Sequence, residues 1–236
     1  MKKLFLFLFC LAVLPSAAQV NTFRGTPQAP NHDFESWDDP EPWGWNSSSC
    51  FEAGNAASGY KRKQSVWRSM DVRPGSPGRY SAQIKVTKSN WTDISHWLGS
   101  AWAQMGTLTT GTLYFKGDAG NASSCIYTNT GDNSKRWAFT GRPDSIVFWA
   151  KWAQAGRPAD MTLYLHGNSK FEDRNPNGTA SGTVIGSAHR KITRGDGNWI
   201  RYSVPVSYQT QENPAYMLLS FTAGNNFREV VEGDEL

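Results

Sequence analysis

The chain has 236 residues, of which 39% are hydrophobic, 13% are aromatic and 19% are charged. The charged fraction is below the ~25% of an average globular protein, but the hydrophobic residues suffice for one sizeable core. The formal net charge of +4 is too small for the basic surface of a nucleic-acid-binding protein. The composition therefore excludes disordered, collagen-like and nucleic-acid-binding chains, and the length fits one large β domain or two small ones.

The first eighteen residues are typical of a secretory signal peptide. Lys2 and Lys3 form a basic start, residues 4–14 form an apolar run, and Ser16 to Ala18 supply the small residues that a signal peptidase requires. The apolar run is too short to span a bilayer core of ~30 Å, and no later stretch is long and uncharged enough. We therefore expect residues 1–18 to be removed, and a secreted, periplasmic or cell-surface protein without a transmembrane segment.

Two cysteines, Cys50 and Cys125, remain after removal of the signal peptide, which contains Cys10. In an oxidising compartment two cysteines allow a single disulfide bridge. Both follow short runs of small polar residues that are typical of loop ends. The alternative is a pair of separate buried thiols, and neither the cysteines nor the scattered histidines match the spacing of a zinc site.

Residues 19–30 have prolines and no periodic pattern, which predicts a leader or linker, and residues 31–236 are predicted to form one domain. Within this domain, short runs of alternating apolar and polar residues lie between turn signals such as Arg73-Pro74-Gly75. This pattern predicts an all-β fold, an antiparallel β-sandwich. The predicted strands cover residues 80–87, 111–115, 145–152, 160–166, 183–187, 199–206 and 216–222.

One segment departs from the strand pattern. Apolar residues between Trp91 and Met105 recur at the spacing of one helical face, although Gly99 lies inside the segment. A short helix packed across a sheet explains this spacing. The alternative is an aromatic loop at the rim of the sandwich.

The chain has more tryptophan than a sandwich core needs, with eleven in total. Trp149, Trp152 and Trp199 lie in strand patterns and are predicted to be core residues. Aliphatic and aromatic residues of the predicted strands supply the rest of the core. These are Ile84, Val86, Leu113, Phe115, Ile146, Phe148, Leu163, Leu165, Leu218 and Phe221.

The other tryptophans lie in or beside irregular segments, where an exposed indole can stack on the flat C–H face of a sugar. The alternative for each of them is ordinary inward packing. We expect a glycan or polysaccharide to be the partner, held by indole rings and by nearby side chains that hydrogen-bond hydroxyl groups. The predicted glycan-binding residues are Trp43, Trp45, Trp97 and Trp102, with Asn90, Asp93 and His96.

Oxygen-bearing side chains alternate at Asn31, Asp33 and Glu35. In an extended strand this spacing places them on one side, which suits a hard cation, so a structural calcium ion is the cofactor that the pattern favours. The alternative is an N-terminal edge strand with a polar outer face.

No catalytic residues are predicted. Glycoside hydrolysis needs two carboxylates about 5 to 9 Å apart, but the predicted strands carry few acids and the others cluster in loops. No serine-nucleophile or phosphate-binding motif is present. The expected function is therefore a carbohydrate-binding module without its own catalysis. The alternatives are a glycoside hydrolase and a structural or adhesive surface module.

Six segments in chain order resemble the PCMD family, a family of carbohydrate-metabolism domains in secreted Bacteroidetes proteins. The similarity spans residues 31–236, and it implies a jelly-roll sandwich like those of galactose-binding and carbohydrate-binding modules, with no established reaction. The segments are N-H-D-F-E-S-W at 31–37 and P-W-G-W at 42–45, followed by residues 76–82, 106–111, 139–152 and 199–208.

The end of the chain departs from the family pattern. Family members continue past a segment similar to Gly233-Asp234-Glu235-Leu236 into a last strand that ends in aspartates. The resemblance therefore implies a domain truncated at its last strand. It also implies that a missing aspartate would join residues 31–35 at a structural cation.

Overall fold

A computed structural model describes residues 28–47, 52–54, 64–88, 103–104, 106–116, 125–132, 136–152, 158–174, 180–193 and 197–223. These residues form strands and connections without any helix, so none of them belongs to a helix that could cross a membrane. The strands are β1 (Trp37–Asp38), β2 (Glu41–Pro42), β3 (Asn46–Ser47), β4 (Glu52–Gly54), β5 (Val66–Ser69), β6 (Ser81–Ile84), β7 (Thr87–Lys88), β8 (Ala103–Gln104), β9 (Gly106–Thr109), β10 (Thr112–Lys116), β11 (Cys125–Thr128), β12 (Trp137–Ala138), β13 (Ser145–Ala150), β14 (Ala159–His166), β15 (Phe171–Asp173), β16 (Val184–Ile192), β17 (Ile200–Pro205), β18 (Ser207–Tyr208) and β19 (Tyr216–Ala223).

A seven-stranded sheet forms the centre of the fold. Its strands follow the order β18-β16-β14-β19-β9-β3, and β12 also pairs with β19. A four-stranded sheet has the order β15-β11-β10-β4, and the two-stranded ribbons are β1-β2, β5-β6, β7-β8 and β13-β17. The described pairs are antiparallel apart from β4 with β10. The predicted all-β sandwich is confirmed, and its jelly-roll type stays a prediction.

Each of the seven predicted strands is present, and the alternation of side chains explains why. Along β14, Met161, Leu163 and Leu165 are buried, whereas Asp160, Thr162 and Tyr164 between them are only half-buried. Such alternation places the apolar side chains on one face of the sheet. That face belongs to the main core of the protein.

The ribbon β13-β17 covers part of this apolar face. The rings of Phe148 and Tyr202 stack at 5.2 Å between centroids, and the Phe148 ring meets Phe221 of β19 edge-on, also at 5.2 Å. Ala150 and Val204 are buried beside them. The inner side chains of the ribbon therefore belong to the core, and its outer side chains face away from it.

Apart from the tryptophans, the predicted core residues whose side chains are described lie in or against the core, except for Leu113. Ile84, Val86, Leu163, Leu165 and Leu218 are buried. The partly buried members packed against the core are Ile146, Phe148 and Phe221, Leu113 is half-buried, and the Phe115 side chain lies outside the described part.

The opposite face of β14 packs against the four-stranded sheet. The ring of Phe171 lies 4.8 Å from that of His166 and 4.9 Å from that of Tyr164. His166 Nε2 also lies 2.8 Å from Thr128 Oγ1. This second layer buries a histidine between the two sheets.

The predicted helix does not extend to Met105. Ala103–Gln104 form strand β8, whose residues pair with Lys88 and Thr87 of β7. Backbone groups that form this ladder are unavailable to a helix, so the helical prediction is wrong at this end. Residues 89–102 lie outside the described residues.

Residues 28–30, the end of the predicted leader, contact the domain. The Pro30 carbonyl accepts a hydrogen bond from Trp45 Nε1 at 2.6 Å, and the Gln28 carbonyl accepts one from Trp137 Nε1 at 2.9 Å. Ala29 packs against the core. Residues 1–27, which include the predicted signal peptide, lie outside the described residues.

Candidate functional site

The outer surface of β13 carries large apolar side chains. Val147 and Trp149 point away from the core and are 47% and 40% exposed, whereas Phe148 and Ala150 point inward. Large exposed aromatic side chains are costly to hydrate and often mark binding surfaces. This surface is therefore a candidate ligand-binding surface.

The register of the ribbon determines the neighbours of Trp149. Arg201 of β17 lies directly opposite Trp149, and Ser203 lies opposite Val147. Side chains that face each other across an antiparallel pair share one face and lie about 5 Å apart at Cβ. We call this surface the Trp149 face, and its members are Val147, Trp149, Lys151, Trp199, Arg201 and Ser203.

The loop between β5 and β6 adds two charged side chains to the Trp149 face. The Arg73 guanidinium lies over the Trp149 ring, 5.2 Å from its centroid. Asp71 accepts hydrogen bonds from Lys151 Nζ at 2.6 Å and from Trp199 Nε1 at 3.1 Å. The loop is thus attached to both strands of the ribbon.

The loop has its own supports. Ser81 Oγ donates a hydrogen bond to the Asp71 carbonyl at 2.7 Å, and the Ser76 amide donates one to the Arg73 carbonyl at 3.1 Å. Gly75 has a φ of 73°, a conformation that favours glycine. The Arg-Pro-Gly turn recognised in the sequence therefore places Arg73 against the indole.

The Asp71 carboxyl is held in its charged form. The hydrogen bond from Lys151 is the main cause of a lowered pKa for Asp71, and the bond from Trp199 lowers it further. Lys151 and Asp71 are both partly exposed, so the pair contributes little to stability. Its main effect is to fix the positions of the Lys151 and Trp199 side chains.

A groove of about 430 Å³ begins where the Trp149 face ends. It lies between β16 and the facing residues of β17 and β18. Ser203 belongs both to the Trp149 face and to the wall of the groove. The other lining residues are Ser187, Ala188, His189, Arg190, Val204, Pro205 and Ser207.

An ion pair lies beside this groove. His189 Nε2 and Asp160 Oδ1 are 2.9 Å apart, and the His189 side chain is half exposed. Burial raises the pKa of Asp160, against the opposing effect of the hydrogen bond from His189. The Arg190 guanidinium lies 5.7 Å from the ring centroid of Tyr202. The groove therefore has serines and apolar residues along its walls, with Arg190 and His189 at one side.

The predicted glycan-binding residues lie in different surroundings. Trp43 is 58% exposed, as a stacking residue should be. Trp45 is only 5% exposed, because its ring packs against Phe34 and Phe221. Trp45 is therefore a core residue. The remaining members, Trp97, Trp102, Asn90, Asp93 and His96, lie outside the described residues.

Two of the three predicted core tryptophans contact the candidate site instead. Trp152 is buried as expected, but Trp149 is exposed and Trp199 is only half-buried. Trp149 differs because it lies on the outer face of the ribbon, one residue out of phase with Phe148 and Ala150. The expectation of a core position is wrong for Trp149.

The residues proposed for calcium form hydrogen bonds with the protein backbone. The Asn31 side chain accepts a bond from the Ser36 amide and donates one to the Ser36 carbonyl. Glu35 Oε1 accepts bonds from the amides of Arg79 and Tyr80, at 2.6 and 2.8 Å. Within the described ranges no three His, Cys, Asp or Glu side chains cluster to hold a metal ion. The calcium site involving Asn31, Asp33 and Glu35 stays a prediction.

Replacing Glu35 with alanine is expected to lower the free energy of unfolding by about 1 to 2 kcal/mol, because two amides lose a charged acceptor. Urea denaturation of the wild-type and Glu35→Ala proteins, each with calcium and with chelator, measures this. A loss that is the same in both solutions assigns Glu35 to the backbone of residues 79–80. A loss that appears only with calcium would instead support the metal site.

Cys125 is half-buried in β11 and has no disulfide partner among the described residues, and burial raises the pKa of its thiol to about 11. A thiol in this state is a poor nucleophile. Cys50 lies outside the described residues, so the bridge between Cys50 and Cys125 stays a prediction.

No protein-family model matches the chain, and no curated protein matches it. The PCMD resemblance therefore stays a prediction. A solved candidate glycoside hydrolase from Bacteroides thetaiotaomicron is 12% identical with a TM-score of 0.49, and the match covers 73% of this chain and 54% of that one. Another from Bacteroides vulgatus is 11% identical with a TM-score of 0.48, covering 72% and 73%.

A third similar structure is the enzymatically active domain of tailspike protein 4 from bacteriophage CBA120. It is 11% identical with a TM-score of 0.40, and the match covers 89% of this chain and 20% of that one. Two of the three proteins are thus Bacteroides proteins named for carbohydrate hydrolysis, and this chain spans about half the length of the first. At these identities and TM-scores, the activity of this chain has to follow from its own residues.

Proposed function

We propose that this protein is a secreted carbohydrate-binding β-sandwich module, and that the Trp149 face is its glycan-binding surface. The observation that carries the proposal is an exposed indole on a rigid two-stranded ribbon, surrounded by side chains that can donate hydrogen bonds. Rigid strands hold a binding group more precisely than loops do.

The indole of Trp149 supplies the stacking surface. A pyranose ring presents C–H groups on one face, and a flat aromatic ring buries that face without requiring hydrogen bonds. Val147, two residues away on the same face, extends the apolar surface. A sugar placed there is desolvated over its apolar side while its hydroxyl groups stay accessible.

The surrounding polar groups supply specificity. Arg73, Arg201 and Ser203 border the indole, and the carboxylate of Asp71 lies beside Lys151. Sugar hydroxyls both donate and accept hydrogen bonds, so guanidinium donors and a carboxylate acceptor can be used together. A few such bonds with stacking correspond to micromolar to millimolar affinity, about 4 to 8 kcal/mol.

The state of Asp71 favours binding over hydrolysis at this face. A glycosidase needs a protonated carboxyl group to donate a proton to the leaving oxygen. The hydrogen bonds from Lys151 and Trp199 keep the pKa of Asp71 low, so this group stays ionised near neutral pH. Asp71 is suited to accept a hydrogen bond from a sugar hydroxyl.

Replacing Trp149 with alanine is expected to weaken glycan binding at least about fivefold, or ~1 kcal/mol, because the stacking surface is lost. The ligand is first found on a glycan array, and the affinity is then measured by titration calorimetry. The melting temperature should change little, since the indole is largely exposed.

The matched control is Trp43→Ala, which removes another exposed indole outside the Trp149 face. It should leave the affinity within twofold of wild type. Loss of binding in Trp43→Ala with none in Trp149→Ala would place the site at Trp43. An array on which no glycan binds would contradict the proposed function.

A further inference from the structure

Two arginines border Trp149 without a carboxylate partner in the described part of the chain. Arg73 contacts the Trp149 ring and the Pro74 carbonyl, at 3.3 Å from Nη1. Arg201 is exposed and lies directly opposite Trp149 in the ribbon. The nearby carboxylate of Asp71 is already bonded to Lys151 and Trp199. Trp149 therefore has two arginine neighbours, and neither of them pairs with a carboxylate among the described residues.

Three other cations among the described residues have structural partners. Arg174 and Lys170 both pair with Glu172. Arg142 donates to the carbonyls of Thr210 and Glu212, and its guanidinium lies 4.0 Å from the ring centroid of Tyr208. In contrast, Arg201 is exposed, and Arg73 hydrogen-bonds the Pro74 carbonyl through one of its nitrogens. The remaining guanidinium donors of these two residues have no acceptor among the described residues. They are available to a ligand.

Arg190 carries positive charge into the groove beyond Ser203. His189, Arg190 and Lys191 are consecutive exposed residues of β16, and the first two line the groove. Asp160 is bonded to His189 and leaves Arg190 without a carboxylate partner among the residues described. A chain that carries a negative charge on successive sugars would meet basic side chains along this whole path.

We infer that the glycan bound at the Trp149 face is anionic, an acidic polysaccharide with carboxylate or sulfate groups. This inference rests on the proposed function and specifies its ligand class. The planar fork of a guanidinium forms paired hydrogen bonds with the two oxygens of a carboxylate or sulfate. Trp149 stacks on the sugar ring, while Arg73 and Arg201 bind the anionic substituent from either side.

Two pairs of probes test the charge of the ligand. Polygalacturonate is compared with its fully methyl-esterified form, and dextran sulfate is compared with dextran. The two members of each pair have the same polysaccharide backbone and differ in charge. Binding is measured by titration calorimetry at 50 and 500 mM NaCl. The anionic member of at least one pair should bind at least tenfold tighter than its neutral partner, and high salt should weaken that binding about tenfold.

Three variants separate this site from general attraction by positive charge. Arg73→Gln and Arg201→Gln should each weaken binding of the anionic probe at least fivefold, and they should weaken it more than they weaken binding of its neutral partner. Arg174→Gln removes the same charge beside the four-stranded sheet and should change the affinity less than twofold. The carboxylated and sulfated pairs show which anionic group the site prefers.

The outcomes distinguish this inference from the function on which it rests. Three results would overturn the inference that the ligand is anionic. They are neutral probes that bind as tightly as their anionic partners, anionic probes that do not bind, and arginine variants with wild-type affinity. If the Trp149→Ala variant no longer binds a neutral glycan in those cases, the result would still support glycan binding at this face. If the Trp149→Ala variant binds the anionic probe as tightly as wild type does, the assignment of the binding site to the Trp149 face would be overturned.

Discussion

Replacing Trp45 with alanine is expected to lower the free energy of unfolding by about 3 to 5 kcal/mol, the usual cost of deleting a buried large aromatic side chain. The indole is 5% exposed and lies 5.6 Å from the Phe34 ring and 6.4 Å from the Phe221 ring, between centroids. Its Nε1 also donates a 2.6 Å hydrogen bond to the Pro30 carbonyl. The substitution leaves a cavity and an unpaired carbonyl group.

Thermal and urea denaturation measure this loss, which corresponds to a fall of about 10 °C in the melting temperature for a chain of this size. The matched control is Trp43→Ala, two residues away, because Trp43 is 58% exposed. It should shift the melting temperature by no more than about 2 °C. Equal shifts in the two variants would contradict the opposite roles that the structure gives to these neighbouring tryptophans.

The strands could be predicted because their sequence period is local. Alternation along residues 160–166 and turn signals at either end identify β14 without any knowledge of its partners. Which side of a strand faces the core is harder to predict where both sides are apolar. Ile146, Val147, Phe148 and Trp149 are all apolar, so the period of two does not distinguish the inner from the outer face. For this reason Trp149 was expected in the core.

The short strands were not predicted, and their composition explains why. Strand β9 consists of Gly106, Thr107, Leu108 and Thr109, with one strongly apolar residue among small and polar ones. It is nevertheless buried, because it pairs with both β19 and β3, and the hydroxyl of Thr109 donates a hydrogen bond to the Leu219 carbonyl at 2.9 Å. A hydroxyl group whose hydrogen-bond acceptor lies on a strand that is distant in sequence leaves no pattern in the neighbouring residues from which its burial could be predicted.

The candidate site depends on contacts between distant parts of the chain. Asp71 and Lys151 are 80 residues apart in sequence, and Arg73 reaches Trp149 only because the β5-β6 loop folds over the ribbon. The sequence does indicate the turn at Arg73-Pro74-Gly75 and the strand at 145–152. The sequence does not show how this turn and this strand are placed relative to each other. The grouping of an indole with two arginines is therefore visible only in the folded structure.

His166 is expected to make the protein less stable in mild acid. It is almost fully buried between the two sheets, and burial lowers its pKa to about 4. The Gly167 carbonyl can only accept a hydrogen bond, so Nδ1 carries the proton at 2.9 Å, and Nε2 accepts one from the Thr128 hydroxyl. The folded protein therefore holds a neutral imidazole with both nitrogens in use.

The direction of the pH effect follows from the two pKa values. In the unfolded chain a histidine has a pKa of about 6.5, so between pH 6.5 and 4 the unfolded state binds more protons than the folded state. The contribution of His166 is fully present above pH 6.5 and is lost as the pH falls towards 4. Between pH 7.5 and 4.5 the loss amounts to about 2 to 3 kcal/mol from this residue alone.

Urea denaturation of the wild-type and His166→Gln proteins at pH 7.5 and 4.5 tests the contribution of His166. The variant should be less stable at pH 7.5, because Phe171 loses its stacked ring and the Gly167 carbonyl loses its donor. On acidification its free energy of unfolding should then fall by about 2 to 3 kcal/mol less than that of wild type, since glutamine does not titrate. Acidic residues such as Asp71 and Glu172 titrate in both proteins, so their effects cancel in this difference. His32→Gln, at an exposed position, controls for the removal of a histidine. An equal acid-induced loss in wild type and His166→Gln would show that the buried imidazole does not control the stability of the two-sheet interface.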